Sequence, residues 1–269
     1  MSGLPPADVT VVLPTIRTDA WFAAAVASVL AQQDVALRLL VVLDGVARSA
    51  DAWWDDPRVE VLALPVRRGL VHGLRAAFAR VTTPYVARLD ADDLAEPTRL
   101  ARQLGYLAAH PDVGLLGCEA LRIDADGAEV GPFGAATGDD IRPALLRSNP
   151  VVHSAVVLRT AAYHRAGGFD PRMDQMEDYD LWLRIAQHER VAALPEPLVR
   201  YRLHGGQVSR GAKPWGHHIR TIRRQRLALA RSLGAPVVRA ALTGTAWEAA
   251  QVLRYAGLRR PGYDAGSPR

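Results

Sequence analysis

Four short apolar runs, Val9 to Leu13, Arg38 to Leu43, Val59 to Leu64 and Tyr85 to Leu89, constrain the fold of this chain more than any other feature. Runs of this length without polar alternation suit strands buried on both faces, as in a parallel sheet covered by helices. Between them, Trp21 to Gln33 and Val71 to Val81 carry apolar residues at helical spacing. The pattern predicts βαβ units and an α/β fold with a mostly parallel, Rossmann-like sheet and helices on both faces. Ligands of such sheets sit beyond the carboxyl ends of the strands. Pro14-Thr15, Asp44-Gly45 and Asp90-Ala91-Asp92-Asp93 fall at those ends and place three polar loops on one rim. No Gly-x-Gly-x-x-Gly or Walker sequence follows any strand, so dinucleotide and P-loop readings lack support.

The fourth run ends in three carboxylates within four positions, Asp90, Asp92 and Asp93. Burying them unpaired is costly. Carboxylates crowd together where a hard cation sits between them, and Mg²⁺ or Mn²⁺ then takes its other ligands from substrate phosphates. A metal-nucleotide site is one reading; the other is an Asp-rich loop that faces water and caps the helix beginning near Glu96-Pro97. Further on, Pro97 to His110 reads as a helix, Val113 to Asp124 and Asn149 to Arg159 as strands, and Gly167-Gly168-Phe169-Asp170 as a turn able to approach a ligand closely. Glu177, Asp178 and Asp180 then lie beside Tyr179 and Trp182 at a helix start. The residues alone fit first-turn acids favoured by the macrodipole as well as they fit a catalytic group.

With 49% hydrophobic and 23% charged residues the chain has ordinary globular composition, and 269 residues suit one domain plus an appendage. Cys118 is the only cysteine, which excludes a disulfide framework or a thiolate zinc site within one chain. No run approaches the ~18 apolar residues of a membrane span, and the start lacks the basic and apolar regions of a signal peptide, so a cytoplasmic location is expected. The net charge of +5 is unevenly spread: residues 200 to 269 hold 14 of the 33 Lys+Arg but only Glu248 and Asp264 of the 28 acids. Arg220, Arg223, Arg224, Arg226 and Arg231 among Ile219, Ile222, Leu227 and Leu229 suit an amphipathic helix on an anionic surface, or equally a solvated helix face. Nucleic acid is disfavoured, because no recognition motif accompanies the basic residues.

The order Val-Val-Leu-Pro-Thr, Arg-Leu-Asp-Ala-Asp-Asp, Gly-Gly-Phe-Asp, Glu-Asp-Tyr-Asp-Leu-Trp-Leu-Arg and Tyr-Arg-Leu-His resembles the family 2 glycosyltransferases with the GT-A fold, over about residues 8 to 209. The resemblance implies transfer of a sugar, with inversion, from a nucleoside-diphosphate sugar to an acceptor hydroxyl, in the synthesis of a cell-surface polysaccharide or other glycoconjugate. It implies a divalent metal, Mn²⁺ or Mg²⁺, held directly by Asp92, with Asp90 near the metal or the ribose and Asp93 assisting either or capping the next helix. By the same resemblance Asp178 is the base, Glu177 orients the acceptor or supports Asp178, and His204 approaches the diphosphate or metal. Pro14, Thr15 and Asp44 face the base and ribose. Relatives commonly have two adjacent acids before Gly45 and Asn where this chain has Arg67-Arg68 and Arg75; arginines there can bind phosphate bidentately.

A catalytic domain over residues 1 to 209 and a basic helical extension over 210 to 269 are therefore expected. His217 to Leu233 and Val237 to Leu258 read as two amphipathic helices, suited to carrying the enzyme to a lipid-linked or other glycan acceptor at the inner membrane face, or to packing on the catalytic domain or on a second subunit as a homodimer. The loops around 127 to 148 and 205 to 216 are expected to set acceptor specificity. A sugar nucleotidyltransferase should carry a glycine-rich basic loop after Leu13, and Pro14-Thr15-Ile16-Arg17 does not match it. A non-catalytic, nucleotide- or partner-binding domain would not need the acids that are present.

Overall fold

The computed structural model describes residues 7–207 and 213–256. In chain order the elements are β1 (Val9–Thr15), α1 (Ala20–Leu30), β2 (Leu37–Asp44), β3 (Val59–Leu64), α2 (Leu70–Phe78), β4 (Tyr85–Arg88), β5 (Leu94–Ala95) and α3 (Arg99–Ala109). Then come β6 (Val113–Ile123), β7 (Glu129–Pro132), α4 (Arg142–Leu145), β8 (Val157–Arg159), α5 (Thr160–Arg165), α6 (Glu177–Ala186), β9 (Arg190–Arg202), α7 (His217–Ser232) and α8 (Val237–Tyr255). Residues 1–6, the 208–212 stretch within the expected acceptor loop and domain boundary, and residues 257–258 of the expected last helix lie outside the described residues.

The strands form one sheet in the order β3-β2-β1-β4-β8-β6-β9-β5, with β7 beside β6. From β3 to β4 every pairing is parallel, as the apolar runs predict. Beyond β4 the sheet is mixed: β8 is antiparallel to both β4 and β6, and β5 to β9, while β6 and β9 run parallel. The continuous apolar character of β1 follows from burial on both faces, since Val9, Val11 and Leu13 pack with Phe22 and Val26 of α1 whereas Val12 packs with Leu74 and Phe78 of α2.

Residues 149–159 do not form one strand. A 3₁₀ turn at His153–Ala155 precedes the short β8. Pro150 has no N–H to give a ladder, and Ser154 turns its hydroxyl to Asp90, donating to Oδ2 at 2.9 Å. The sequence disguises β9 with Pro195 and Pro197; its pairing to β6 shifts register on either side of Glu119 for the same lack of donors.

Three arginines that resemble surface residues in sequence, Arg88, Arg99 and Arg226, are fully buried. Arg99 donates to the carbonyls of Arg88 and Val156 and to Gln103 Oε1, tying α3 to the end of β4 and the start of β8. Burial pulls its guanidinium down to about 10, still charged at neutral pH. The C-terminal helices join the same body: α7 buries Ile222 and Leu229 in the cluster that contains Trp182, and Arg226 donates to Leu146 O at 2.9 Å.

Arg99→Met should therefore lower stability to urea by about 3 kcal/mol, because two carbonyls and an amide lose their donor. Arg102→Met, which loses only an exposed pair with Glu196, should cost less than about 1 kcal/mol. Equal losses in the two variants would contradict the structural role given to Arg99.

Candidate active site

The parallel register Thr15↔Leu43 and Asp44↔Leu64, with Leu89 N donating to Val12 O at 3.3 Å, brings the ends of β1, β2 and β4 to one rim. Thr15 folds its own turn: its hydroxyl donates to Arg17 O and accepts from Arg17 N at 3.1 Å. Asp44, buried, accepts from the backbone N–H groups of Arg68 at 2.6 Å and Gly69 at 2.8 Å, so it fixes the loop that enters α2. Gly45 has φ 72° and a Cβ there would stand 2.5 Å from Arg67 N, which excludes any other residue at this crossing.

Beyond β4 the three carboxylates diverge. Asp90 accepts from the buried Arg88 guanidinium and from Ser154. Burial opposes its charge, but Arg88 and Ser154 outweigh burial and hold Asp90 below the ordinary carboxylate value. Asp92 meets His204, Oδ2 to Nε2 at 2.7 Å, and the His204 ring lies 4.9 Å from that of Trp21. Asp93 turns inward, where Oδ1 accepts from Arg202 N at 2.8 Å and Oδ2 has no partner among the described residues. Burial, then the charges of Asp92 and Asp90, push it well above the ordinary range. Its expected function as a cap is not seen: α3 begins at Arg99 without a side-chain cap, and Asp93 instead fastens the end of β9.

Glu177 and Asp178 open α6 after Met176, which takes a left-handed conformation, φ 58°, rare for a non-glycine residue. Asp178 accepts from Asn149 Nδ2 at 2.8 Å and from Tyr179 N at 2.7 Å. Burial raises its pKa against these two bonds. Glu177 is pushed up to about 8, first by burial and then by the charge of Asp178. His153, 3.9 Å from Glu177, is held down to about 3 by burial and by Arg88, and so is neutral. The motifs do not mark Asn149, because the acid it serves lies 29 residues further along the chain.

One cavity of about 570 Å³ takes in Pro14, Thr15 and Asp44, then Asp90, Asp92 and His204, then Glu177 and Asp178. Its size suits a small-molecule site. Arg75 does not line it. Its guanidinium donates to Phe169 O and ties α2 to the Gly167-Gly168 turn, so the phosphate contact expected of it is not formed. That turn likewise approaches protein rather than an open site, because a Cβ on Gly168 would lie 2.7 Å from the Tyr163 hydroxyl. No group of three or more His, Cys, Asp or Glu converges as a metal site among the described residues. The pair Asp92 and His204, one carboxylate and one imidazole in contact on the cavity wall, fits a hard cation that draws its other ligands from water and substrate phosphate.

The family model for glycosyl transferase family 2 matches residues 10–129. The amylovoran biosynthesis glycosyltransferase AmsE of Erwinia amylovora is 32% identical over 71% of this chain and 74% of its own length. The O-antigen biosynthesis glycosyltransferase WbnJ of Escherichia coli is 26% identical over 76% of this chain and 83% of its own. Among solved structures, that of S. aureus TarS 1-349 in complex with UDP-GlcNAc superposes with a TM-score of 0.66 at 13% identity, covering 96% of this chain and 75% of that one, a likeness of fold. The chain is a glycosyltransferase and belongs to family 2.

Proposed function

We propose that this enzyme transfers a sugar, with inversion, from a nucleoside-diphosphate sugar to the hydroxyl of a glycan acceptor in the assembly of a cell-surface polysaccharide. The observation that carries the reading is that Asp178 and the Asp92–His204 pair share one cavity at the carboxyl rim of β1, β2 and β4. UDP is the first nucleotide to test, because the TarS fold relative is a UDP-GlcNAc complex. The AmsE and WbnJ relatives serve amylovoran and O-antigen synthesis, which supports the polysaccharide assignment.

In this reading the nucleoside lies against Pro14, Thr15 and the loop fixed by Asp44. Asp92 and His204 would hold a divalent cation, Mn²⁺ or Mg²⁺, which would supply Lewis-acid stabilisation of the leaving diphosphate. Asp90, fixed by Arg88 and Ser154, faces the donor as an oriented charge. Asp178 accepts the acceptor hydroxyl's proton while that oxygen bonds to the anomeric carbon from the face opposite the diphosphate. The bond from carbon to the phosphate oxygen breaks with its electron pair leaving on the diphosphate. Asn149 keeps Asp178 aimed, and Glu177, protonated at neutral pH, donates a hydrogen bond without adding a second negative charge.

No helix among the described residues is long and apolar enough to cross a membrane. Peripheral contact at the inner membrane face is the reading favoured by α8, which leaves Val238, Leu242 and Leu253 exposed on a helix pair that also exposes Arg220, Arg224 and Arg239.

Calorimetry with UDP, GDP, TDP and CDP should show one nucleotide binding with Mn²⁺ and losing affinity in EDTA; failure of all four would refute the donor reading. Asp178→Asn should retain that binding within about twofold yet reduce transfer by about 10³-fold, and unimpaired turnover would remove Asp178 from the chemistry. Asp92→Asn should abolish the Mn²⁺ enhancement of binding, so an unchanged enhancement would move the ligand elsewhere. The Glu177 carboxyl takes up a proton on folding between its ordinary 4.5 and about 8, so its contribution to stability falls as pH rises through that window. Glu177→Gln should accordingly lose fewer degrees of Tm between pH 5 and pH 8 than the parent protein; parallel curves would mean that Glu177 is not protonated in the fold. Cosedimentation with anionic liposomes at moderate salt tests the membrane contact, and Leu242→Asp with Leu253→Asp should abolish it. A dimer that ignores liposomes would assign the α8 face to a second subunit.

A further inference from the structure

The cavity does not end at the two acids of α6. It continues to α8, where Trp247, Gln251 and Arg254 line it. Their spacing of four and three residues puts all three on one helix face. None belongs to a motif of the first two hundred residues, and none is required by the donor reading.

Each of the three side chains is prepared in a different way. Trp247 is half-buried, with the Arg226 guanidinium 5.2 Å from its ring centre and the Tyr179 ring at 6.1 Å. Both neighbours are fixed to the segment that leads to Asn149: Tyr179 donates to Leu145 O at 2.6 Å and Arg226 to Leu146 O at 2.9 Å. The indole is thus held rigidly one residue away from Asp178, through Tyr179. Gln251 is 9% exposed, yet its amide makes no hydrogen bond among the described residues. An amide on the cavity wall without a protein partner is available to pair with an incoming group. Arg254 stands exposed at the cavity edge and has no carboxylate partner among the described residues, while Glu248 of the same helix is occupied by Arg223 at 2.8 Å.

We infer that α8 supplies the acceptor subsite and that the acceptor is an anionic saccharide: Trp247 is the platform for a sugar ring, Gln251 pairs with its hydroxyls, and Arg254 binds a phosphate or carboxylate carried next to it. An aromatic face takes the C–H side of a sugar, an amide serves hydroxyls as both donor and acceptor, and a guanidinium forks onto either anion. The position is also electrostatically consistent. The Asp178 carboxylate repels an anion from the point of proton transfer, so the anionic group sits at the cavity edge and the neutral hydroxyl enters. This assignment rests on the transferase reading and names the acceptor class within it.

The test uses the full chain saturated with UDP and diamagnetic Mg²⁺, so that the donor end is filled, and ligand-observed NMR titrations of glucose 1-phosphate, glucuronate and methyl glucoside. At least one anionic saccharide should bind about tenfold or more tighter than methyl glucoside, and the better of the two identifies phosphate or carboxylate as the anion. Arg254→Gln should erase that advantage. Trp247→Ala should weaken all three about tenfold or more, and Trp247→Tyr should restore them, with UDP affinity unchanged throughout. The inference is overturned if no saccharide binds, if the anionic ones bind no better than methyl glucoside, or if binding survives both Arg254→Gln and Trp247→Ala. Absence of UDP binding counts against the donor reading instead; the same titrations run without UDP then still decide the subsite.

Discussion

Asp90, Asp92 and Asp93 can share one short loop because Arg88 lies beneath them, wholly out of water. Its guanidinium donates to the carbonyls of Val12 and Leu89 as well as to Asp90, so one side chain closes the ends of β1 and β4 and fixes the first carboxylate of the rim. Removing a guanidinium and a carboxylate from water costs several kcal/mol for each ion, and the cost is offset only when the remaining donors are also satisfied. Here they are, and Arg99 repeats the arrangement one layer deeper. With two buried cations in place, the loop divides its acids: Asp90 and Asp92 face the cavity, whereas Asp93 turns into the body of the protein and fastens β9.

The same cations separate the chemistry at the two ends of the cavity. Near Arg88 a carboxylate is kept charged and a histidine is kept neutral. At the start of α6, burial without a paired cation raises both acids, Glu177 to about 8. Environments that push titratable groups apart are how neighbouring carboxylates come to serve different functions. Asp90 suits a fixed negative charge facing a cation, and the α6 pair suits proton handling.

Much of this was legible in the chain. The doubly buried strands of the first half lack polar alternation, and their ends, with the acids that follow, mark the rim directly. The Glu177-Asp178 step was legible only as a helix start, and its chemistry came through family resemblance. Other parts were hidden for identifiable physical reasons. Arg88 and Arg99 look like ordinary surface cations because burial of a guanidinium depends on carbonyls that are distant in sequence. Pro195 and Pro197 mask β9, whose pairing tolerates them only through register shifts. Arg75 suits phosphate by residue type, but the nearest acceptor in the fold is the Phe169 carbonyl. Residue type states what a side chain can bind; only the packing decides which partner reaches it first.

The basic C-terminal helices show how far net charge can mislead about location. Summed along the sequence, their arginines suggest a single cationic surface. In the fold they separate by depth: Arg226 is buried against Trp247 and the Leu146 carbonyl, Arg223 is matched by Glu248, and Arg220, Arg224 and Arg239 face outward. The inward Arg226 packs behind the cavity wall, against Trp247, while the outward set is left to solvent or to another surface. Both sets ride on the same two helices, which pack on α6 through Ile222 and Leu229. The packing that hides Arg226 thus also holds Trp247 beside Tyr179, the residue next to Asp178.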